Sequence, residues 1–310
     1  MAGAGVREFK RRIRSIQNTQ QITKAMKMVA AAKLRRAQEK AESSRPYTDT
    51  LHKTMAGLAE LAANIDNPLL EVHDTIKRVA YVLVTADGGL CGAYNTNLIK
   101  TADDALKSEV RDIESVVVAV GKKGRDFFQK RQLIDAEYIQ LGDNFSYSDA
   151  KNISDYIIEG YINYQFDEVY VIYSKFINAL RQIPTITRIL PLETPEATDE
   201  DSEQETNSLE KANGGMKNNY IPQYIYEPSA EYILSALIPR YVGSLMYHAM
   251  LEGKASELGA RMTAMSSATE NAGEMISSLT LAMNKVRQAA ITDEILDIVG
   301  GAEALNKGGK

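Results

Sequence analysis

The C-terminal part of the chain carries a stripe of residues whose spacing alternates strictly between four and three. Eleven of its twelve positions are apolar, and no proline falls within the run. The positions are Leu251, Ala255, Leu258, Met262, Met265, Thr269, Ala272, Ile276, Leu279, Met283, Val286 and Ala290. A mean period of 3.5 residues keeps one face of a helix against a partner when the two helices supercoil. The stripe therefore predicts a long coiled-coil helix.

A second, looser helical stripe lies at the other end of the chain and recurs every seven residues. Its members are Phe9, Ile16, Thr23, Ala30 and Ala37, with Ile13, Met26 and Leu34 at intermediate places. We expect the chain to fold back so that 1–65 and 229–310 pair as an antiparallel coiled coil. Pro46 and Pro239 are expected to kink or interrupt these helices, because proline removes a backbone hydrogen bond.

The middle of the chain changes period. Strand-length runs rich in β-branched residues occupy Arg78–Thr85, Ser115–Val120 and Val169–Tyr173, with weaker candidates at Leu133–Ile139 and Ile183–Leu190. Helical patterns at 97–110, 122–131 and 148–164 separate them. Strands that alternate with helices predict βαβ units and a mainly parallel sheet. We therefore predict an α+β chain with a central α/β (Rossmann-like) domain over 74–193.

An acidic segment follows this domain at 194–219 and contains no periodic apolar residues before Leu209. It is too polar to bury, so we expect a mobile loop.

Charge is distributed unevenly along the chain, whose net charge is −5. Residues 1–45 hold twelve Lys or Arg and three Glu. A basic helix of this kind fits an acidic protein partner, nucleic acid, an anionic membrane surface, or simply a solvated face. It also resembles a transit peptide, but the seven-residue stripe runs through it, so we expect the segment to be retained. No apolar stretch reaches the 18 residues or more of a membrane span.

Signals for chemistry are weak. The single cysteine, Cys91, excludes an internal disulfide, and the three histidines are scattered, so we expect no metal site. A glycine-rich loop at 87–93 follows a strand and precedes a helix, where backbone N–H groups can hold a phosphate. Its spacing fits neither common nucleotide-binding motif, and a tight turn is the better interpretation. We expect no catalytic residue and no bound cofactor.

Small residues are frequent across the C-terminal helix, including positions off the stripe such as Ser266, Ser267, Ser277 and Ser278. An ordinary coiled coil with alanine at packing positions explains the stripe, but it does not explain these outer small residues. They suit a thin shaft that fits inside a surrounding sleeve, and the methionines supply pliable apolar contacts.

Several segments together resemble the γ subunit of F-type ATP synthase, the central rotor stalk. They are Gln17–Ala31, Ser44–Tyr47, Gly89–Gly92, Phe176–Asn178, Pro184–Ile186 and Ile291–Ala304. The resemblance covers nearly the whole chain. It implies a shaft of paired terminal helices inside a hexamer of three α and three β subunits, present once per complex. The α/β body would meet the ε subunit and the membrane c-ring, and ion flow would turn the shaft.

The resemblance also implies which residues touch the stator. Met26 matches the family's methionine at the rotor–stator contact, with Lys24 and Lys27 beside it. Arg287, Gln288 and Thr292 match polar positions that engage the β subunits, and Arg261 matches a further arginine on the same helix. Without the resemblance, the polar trio would be read as a solvated helix end. Mg-ATP and Mg-ADP would be bound by the partner subunits, on the cytoplasmic face of a bacterial membrane.

The sequence departs from the family at two places. The common Asp-Arg-Gly-Leu-Cys-Gly is Asp-Gly-Gly-Leu-Cys-Gly at 87–92, so the arginine is absent. The insertion at 194–219 contains no cysteine, so the thiol switch of plant-type members is excluded. Two other function classes stay open at this point: a nucleic-acid-binding coiled coil that uses the basic helix, and a nucleotide-dependent enzyme that uses the glycine loop.

Overall fold

The computed structural model describes residues 2–57, 67–108, 113–131, 133–192 and 229–307. Five helices and five strands follow one another along these residues. In chain order they are α1 (Ala2–Gly57), β1 (Arg78–Val84), α2 (Tyr94–Ser108), β2 (Glu114–Val120), α3 (Lys122–Phe128), β3 (Ile134–Tyr138), α4 (Tyr147–Ile162), β4 (Glu168–Phe176), β5 (Gln182–Leu190) and α5 (Ala230–Lys307). A short 3₁₀ turn, Gln129–Arg131, follows α3.

The chain divides into two compact units. Met1–Ala32 and Arg261–Lys310 form the first, here called the helix-pair unit. Lys33–Ala260 form the second, here called the sheet unit. Both α1 and α5 contribute residues to each unit, because each helix continues across the division.

The helix-pair unit is an antiparallel pair, as the stripes predict. Gln20 contacts Thr269 and Lys27 contacts Ser266, whereas the glycine at position 5 lies beside Val286. The partner number falls as the number in α1 rises, which defines antiparallel helices. Within this unit, all nine stripe residues of α5 and all six of α1 are buried or half-buried. The prediction of a paired seam is confirmed.

The prediction that proline interrupts the helices is wrong, whereas its alternative, a kink at each proline, stays a prediction. Pro239 lies inside α5 and Pro46 inside α1, and both helices continue through them. The physical reason is tertiary packing: Leu234, Ile238 and Val242 are fully buried around Pro239. Burial on both sides of a proline holds the helix despite the missing hydrogen bond, since most helical stability in proteins comes from packing.

The sheet unit contains a five-stranded sheet in the order β3-β2-β1-β4-β5. β1, β2, β3 and β4 are parallel, whereas β5 pairs antiparallel with β4. All five predicted strands are present, and the prediction of a mainly parallel sheet is confirmed. Alternate residues of β1 face two different cores, because side chains along a strand point to opposite faces.

Each face of the sheet is covered by helices. α2 and α3 cover one face through Leu98, Ala102 and Phe128. α4 covers the other face together with the end of α1 and the beginning of α5. The compact unit is therefore larger than the predicted 74–193, since part of its core comes from the two long helices. The predicted mobile loop at 194–219 lies outside the described residues.

None of the helices in the described ranges combines the length and the hydropathy that a membrane span needs.

Gly160 offers a test of the packing under the sheet. A Cβ at this position would lie 2.4 Å from Cε2 of Phe166, whose ring is fully buried. We expect Gly160→Ala to lower the free energy of unfolding by about 1–3 kcal/mol, although alanine favours helix, because the ring cannot move without opening the core. Urea unfolding followed by the near-ultraviolet dichroism of the tyrosines measures the effect.

Gly89→Ala is the matched control in the same unit. A Cβ there meets no atom within 4 Å. We expect a change below about 0.5 kcal/mol. Equal destabilisation by the two variants would contradict the packing argument.

Candidate functional site

A polar layer interrupts the apolar seam of the helix-pair unit. The hydroxyls of Thr23 and Thr269 lie 2.8 Å apart, and Gln20 Nε2 donates to the backbone oxygen of Thr269 at 3.3 Å. One turn further along α1, Lys27 Nζ donates to Ser266 Oγ at 2.9 Å. These bonds join the two helices directly, side chain to side chain or side chain to backbone.

The threonine hydroxyls also bond within their own helices. Thr23 donates to Gln20 O at 3.0 Å and Thr269 to Met265 O at 2.7 Å. Each hydroxyl has a single hydrogen, so the one that donates across the seam gives up the bond to its own helix. A polar pair in an otherwise apolar seam favours one alignment of the helices over others.

Gln20 is a seam position that the apolar stripe does not include. It lies four residues after Ile16 and three before Thr23, so it falls on the α1 stripe, and it is half-buried. Because the stripe is defined by apolar residues, the polar Gln20 is not counted among its members. The four-three spacing alone would have found it.

The structure brings Lys24, Met26 and Lys27 together within one turn of α1. Met26 is half-buried on the seam, whereas the two lysines are exposed. Arg261, on α5, is half-buried. The predicted stator contacts around Met26 thus lie beside the polar layer.

Arg287, Gln288 and Thr292 form a second group, and all three side chains are exposed. Thr292 Oγ1 donates to Gln288 O at 3.0 Å. Ser266, which faces Lys27, is 21 residues before Arg287, or roughly 30 Å along a helix that rises 1.5 Å per residue. The two groups of predicted contact residues are therefore well separated along the helix pair.

The surface of the helix pair is unusually apolar. Ile22, Met28 and Val29 of α1 are 53% or more exposed. Near the end of α5, every residue from 291 to 300 is exposed, and five of them are large apolar residues: Ile291, Ile295, Leu296, Ile298 and Val299. Exposed apolar surface of this extent marks a protein interface.

The same unit is basic along α1. Seven Lys or Arg lie between residues 7 and 27, against the single acid Glu8. Arg11 and Arg12 pair with Glu8 at 3.4 and 2.9 Å, and all three side chains are well exposed. An acidic partner surface would complement the remaining cations, with each exposed pair worth at most about 1 kcal/mol.

The glycine-rich loop at 87–93 forms a turn that leads into α2. Tyr94 N donates to Cys91 O at 3.2 Å, and Asn97 N donates to Ala93 O at 2.8 Å. Asn95 Nδ2 donates to Gly88 O at 3.3 Å. Polar groups of the loop thus bond to the first turn of the helix that follows it.

The other reactive side chains have structural partners. Cys91 is buried and accepts a hydrogen bond from Asn95 Nδ2 at 3.1 Å. His73 Nδ1 lies 2.8 Å from Asp167 Oδ1. Burial raises the pKa of Asp167, but the hydrogen bonds from His73 and from two backbone amides outweigh it and lower that pKa. Within the described ranges, no three His, Cys, Asp or Glu are grouped so that they could hold a metal ion.

Comparison with known proteins gives a consistent result. The chain matches a family model described as ATP synthase over residues 5–305. It is 47% identical to the ATP synthase gamma chain of Desulfitobacterium hafniense, over 97% of this chain and 99% of the relative. It is 48% identical to that of Symbiobacterium thermophilum, over 95% and 96%.

Solved structures share the fold. A chain of the Euglena gracilis mitochondrial ATP synthase matches with a TM-score of 0.66 at 20% identity, covering 99% of this chain and 97% of that one. A chain from the central stalk and c-ring structure of the Tetrahymena thermophila mitochondrial ATP synthase matches with a TM-score of 0.58 at 24% identity, covering 80% and 99%.

The hydrogen bond between Thr23 and Thr269 can be measured by a double-mutant cycle. We expect Thr23→Val and Thr269→Val each to destabilise the helix pair, because each leaves a hydroxyl without its partner. The double variant should cost less than the sum by about 1 kcal/mol. Thermal unfolding of the purified chain, followed by helical circular dichroism, provides the values.

Thr280 serves as the control partner in this cycle, since its hydroxyl donates to Ile276 O of its own helix at 2.7 Å. Thr23→Val combined with Thr280→Val should be additive. A coupling energy near zero for Thr23 and Thr269 would show that the hydroxyls do not join the helices.

Proposed function

The chain belongs to the ATP synthase γ chain family, and we propose that it is the central rotor shaft of an F-type ATP synthase. In this role it couples proton or sodium translocation through a membrane ring to ATP synthesis or hydrolysis at the β subunits. The observation that carries the proposal is the helix-pair unit itself. It presents a polar contact group, a second polar group roughly 30 Å away, and an exposed apolar tip.

The geometry supports action through shape. The uncharged apolar residues exposed near the end of α5 can turn inside a sleeve without breaking strong polar bonds at each step. The exposed apolar residues at 291–300 suit such a sleeve, because a partner surface would remove them from water. In this proposal the chain has no catalytic site, and Mg-ATP or Mg-ADP binds to the partner subunits.

The proposed partners are the α and β subunits, as an α3β3 hexamer, together with the ε subunit and the c-ring. One copy of the chain would serve each complex, as a peripheral protein on the cytoplasmic face of a bacterial plasma membrane. Lys24, Met26 and Lys27 would meet the β subunits at one level, and Arg287, Gln288 and Thr292 at the other. Arg261 would contribute beside the first group. The basic face of α1 would meet acidic residues of the sleeve.

Reconstitution with the cognate α and β subunits tests this function. We expect the chain to co-purify with them and to support ATP-driven rotation, while the isolated chain hydrolyses no ATP. Salt-sensitive binding of DNA or RNA without such co-purification would instead favour the nucleic-acid alternative. Hydrolysis by the isolated chain would favour the nucleotide-dependent enzyme.

The contact group on α5 can be tested in the assembled complex. We expect Arg287→Ala with Gln288→Ala and Thr292→Ala to slow ATP hydrolysis roughly tenfold while assembly is retained. Lost polar contacts worth about 1.4 kcal/mol in the rate-limiting rotation correspond to that factor. Truncation after Asn284 also removes the apolar tip and should lower the rate further.

A control triple at exposed positions of the same helix separates contact from helix stability. Ser277→Ala with Ser278→Ala and Lys285→Ala should change the rate less than about twofold, since alanine keeps the helix. An equal loss in both triples would argue against a specific contact at 287–292.

A further inference from the structure

The sheet unit has a topological switch point between β1 and β4. The chain passes from β1 outward to β2 and β3, then returns to place β4 on the other side of β1. Both strands are parallel, so their carboxyl ends, near Val84 and Phe176, share one edge. In doubly wound sheets this crevice is the ordinary ligand site.

Helix α5 lies directly in this crevice. A Cβ at Gly253 would stand 3.1 Å from Cγ1 of Val84, and one at Gly259 would stand 3.2 Å from the ring of Phe176. Ser256 falls between the two glycines on the same helix face and is fully buried. Small residues at every third position let the helix backbone approach the sheet closely.

Three hydrogen bonds fasten the helix there. Tyr94 OH donates to Gly253 O at 2.9 Å, and Ser256 Oγ donates to Ser174 O at 2.8 Å. The backbone amide of Phe176 donates to Glu252 Oε2 at 3.1 Å. Tyr94, Ser174 and Ser256 are buried, so their bonds are shielded from water.

Ion pairs add to the attachment beside the crevice. Lys254 Nζ lies 2.7 Å from Asp143 Oδ1 and 3.1 Å from Glu257 Oε2. Asp143 also pairs with Lys33 of α1 at 2.5 Å. Burial raises the pKa of Asp143, but hydrogen bonds from Lys254 and Lys33 outweigh it and lower the pKa to about 2. The loop between β3 and α4 thus holds both long helices.

We propose that the ligand crevice of this sheet serves as a clamp on α5, through which load passes between the sheet unit and the shaft. The clamp consists of Tyr94, Ser174, Glu252, Gly253 and Ser256. The proposal rests on the rotor function, because it assigns these residues the task of keeping α5 fixed while the sheet unit is turned. They are positioning residues, since none of them would touch a nucleotide.

The first measurement is hydrogen exchange in the reconstituted complex. Tyr94→Phe with Ser256→Ala removes two buried hydrogen bonds of the clamp and adds no volume. We expect amide exchange at the carboxyl end of β4, including Phe176, to become about thirtyfold faster, the factor that corresponds to about 2 kcal/mol.

Tyr156→Phe with Tyr161→Phe is the matched control. Tyr161 OH donates to Glu71 O at 2.6 Å and Tyr156 OH donates to Asp135, so this pair also removes two hydroxyl bonds from the sheet unit. It leaves the clamp intact. Exchange at the end of β4 should therefore stay at the wild-type rate.

The second measurement is single-molecule rotation with a bead attached to a cysteine introduced at Lys107, an exposed position on α2. Under low drag, the clamp variant should rotate as the wild type does. Under high drag, it should slip backward about thirtyfold more often, because the weakened clamp now carries the load. The control pair should not slip.

A covalent lock keeps the test decisive if the clamp variant fails to assemble. Ala179→Cys with Gly259→Cys places two thiols close together, since a Cβ at 259 would lie 3.3 Å from Cα of Ala179. We expect the oxidised lock to preserve rotation and, added to the clamp variant, to abolish its slips. Rotation that stops on oxidation would overturn the proposal, as would equal slipping in the clamp variant and the control.

These outcomes are distinct from failure of the rotor function. A wild-type complex that does not assemble or rotate would overturn the proposed function itself. A wild type that rotates, with no difference among the variants under load, would overturn the clamp alone.

Discussion

The seam between α1 and α5 is the interaction on which the rest of the helix-pair unit depends. No third layer covers these two helices within the described part of that unit, so the stripe supplies nearly all of its buried apolar area. Many stripe positions hold alanine or threonine, which bury little surface at about 25 cal/mol per Å². The unit is held by the length of the seam more than by the size of its side chains. This explains why the polar layer at Thr23 and Thr269 matters. Small apolar side chains specify the alignment of the two helices only weakly, whereas a directional hydrogen bond favours one alignment.

Small residues on α5 serve two purposes that the sequence alone does not separate. At Gly273 the helix lies against Gln20 of α1, where a Cβ would meet the amide nitrogen at 3.2 Å. At Gly253 and Gly259 the same helix lies against strand ends of the sheet. Further along, Ser277 and Ser278 are exposed and narrow the outer surface. Small residues on a helix can therefore indicate either a thin outer surface or close packing inside a globular unit. Only the neighbouring residues in the structure distinguish these two cases.

The features that the sequence predicts correctly, the helical stripes and the strands, follow from periodicity. The features that it does not predict depend on tertiary contacts. The 3.5-residue period identified both seam stripes, and strand-length β-branched runs identified β1 to β5. The helix continues through Pro239 because buried residues on either side hold it, which a local rule for proline does not take into account. The sheet unit extends beyond 74–193 because Leu51 and Met55 belong to a helix that begins in the other unit, yet they pack into the sheet core. Gln20 was missed because its polarity removed it from a stripe to which its spacing assigns it.

The glycine-rich loop shows why an enzyme-like local pattern need not carry enzyme chemistry. Its residues stand where a doubly wound sheet would bind a ligand, and its glycines permit the same tight turn. Two features then oppose a ligand there: the loop bonds to the first turn of its own helix through Tyr94 N and Cys91 O, and α5 packs into the crevice. A fold does not determine a function, so in a sheet of this type a helix can pack at the position where other such sheets bind a ligand. A ligand that bound and dissociated would leave the strand ends uncovered in turn, whereas α5 covers Val84 and Phe176 with residues of the same unit.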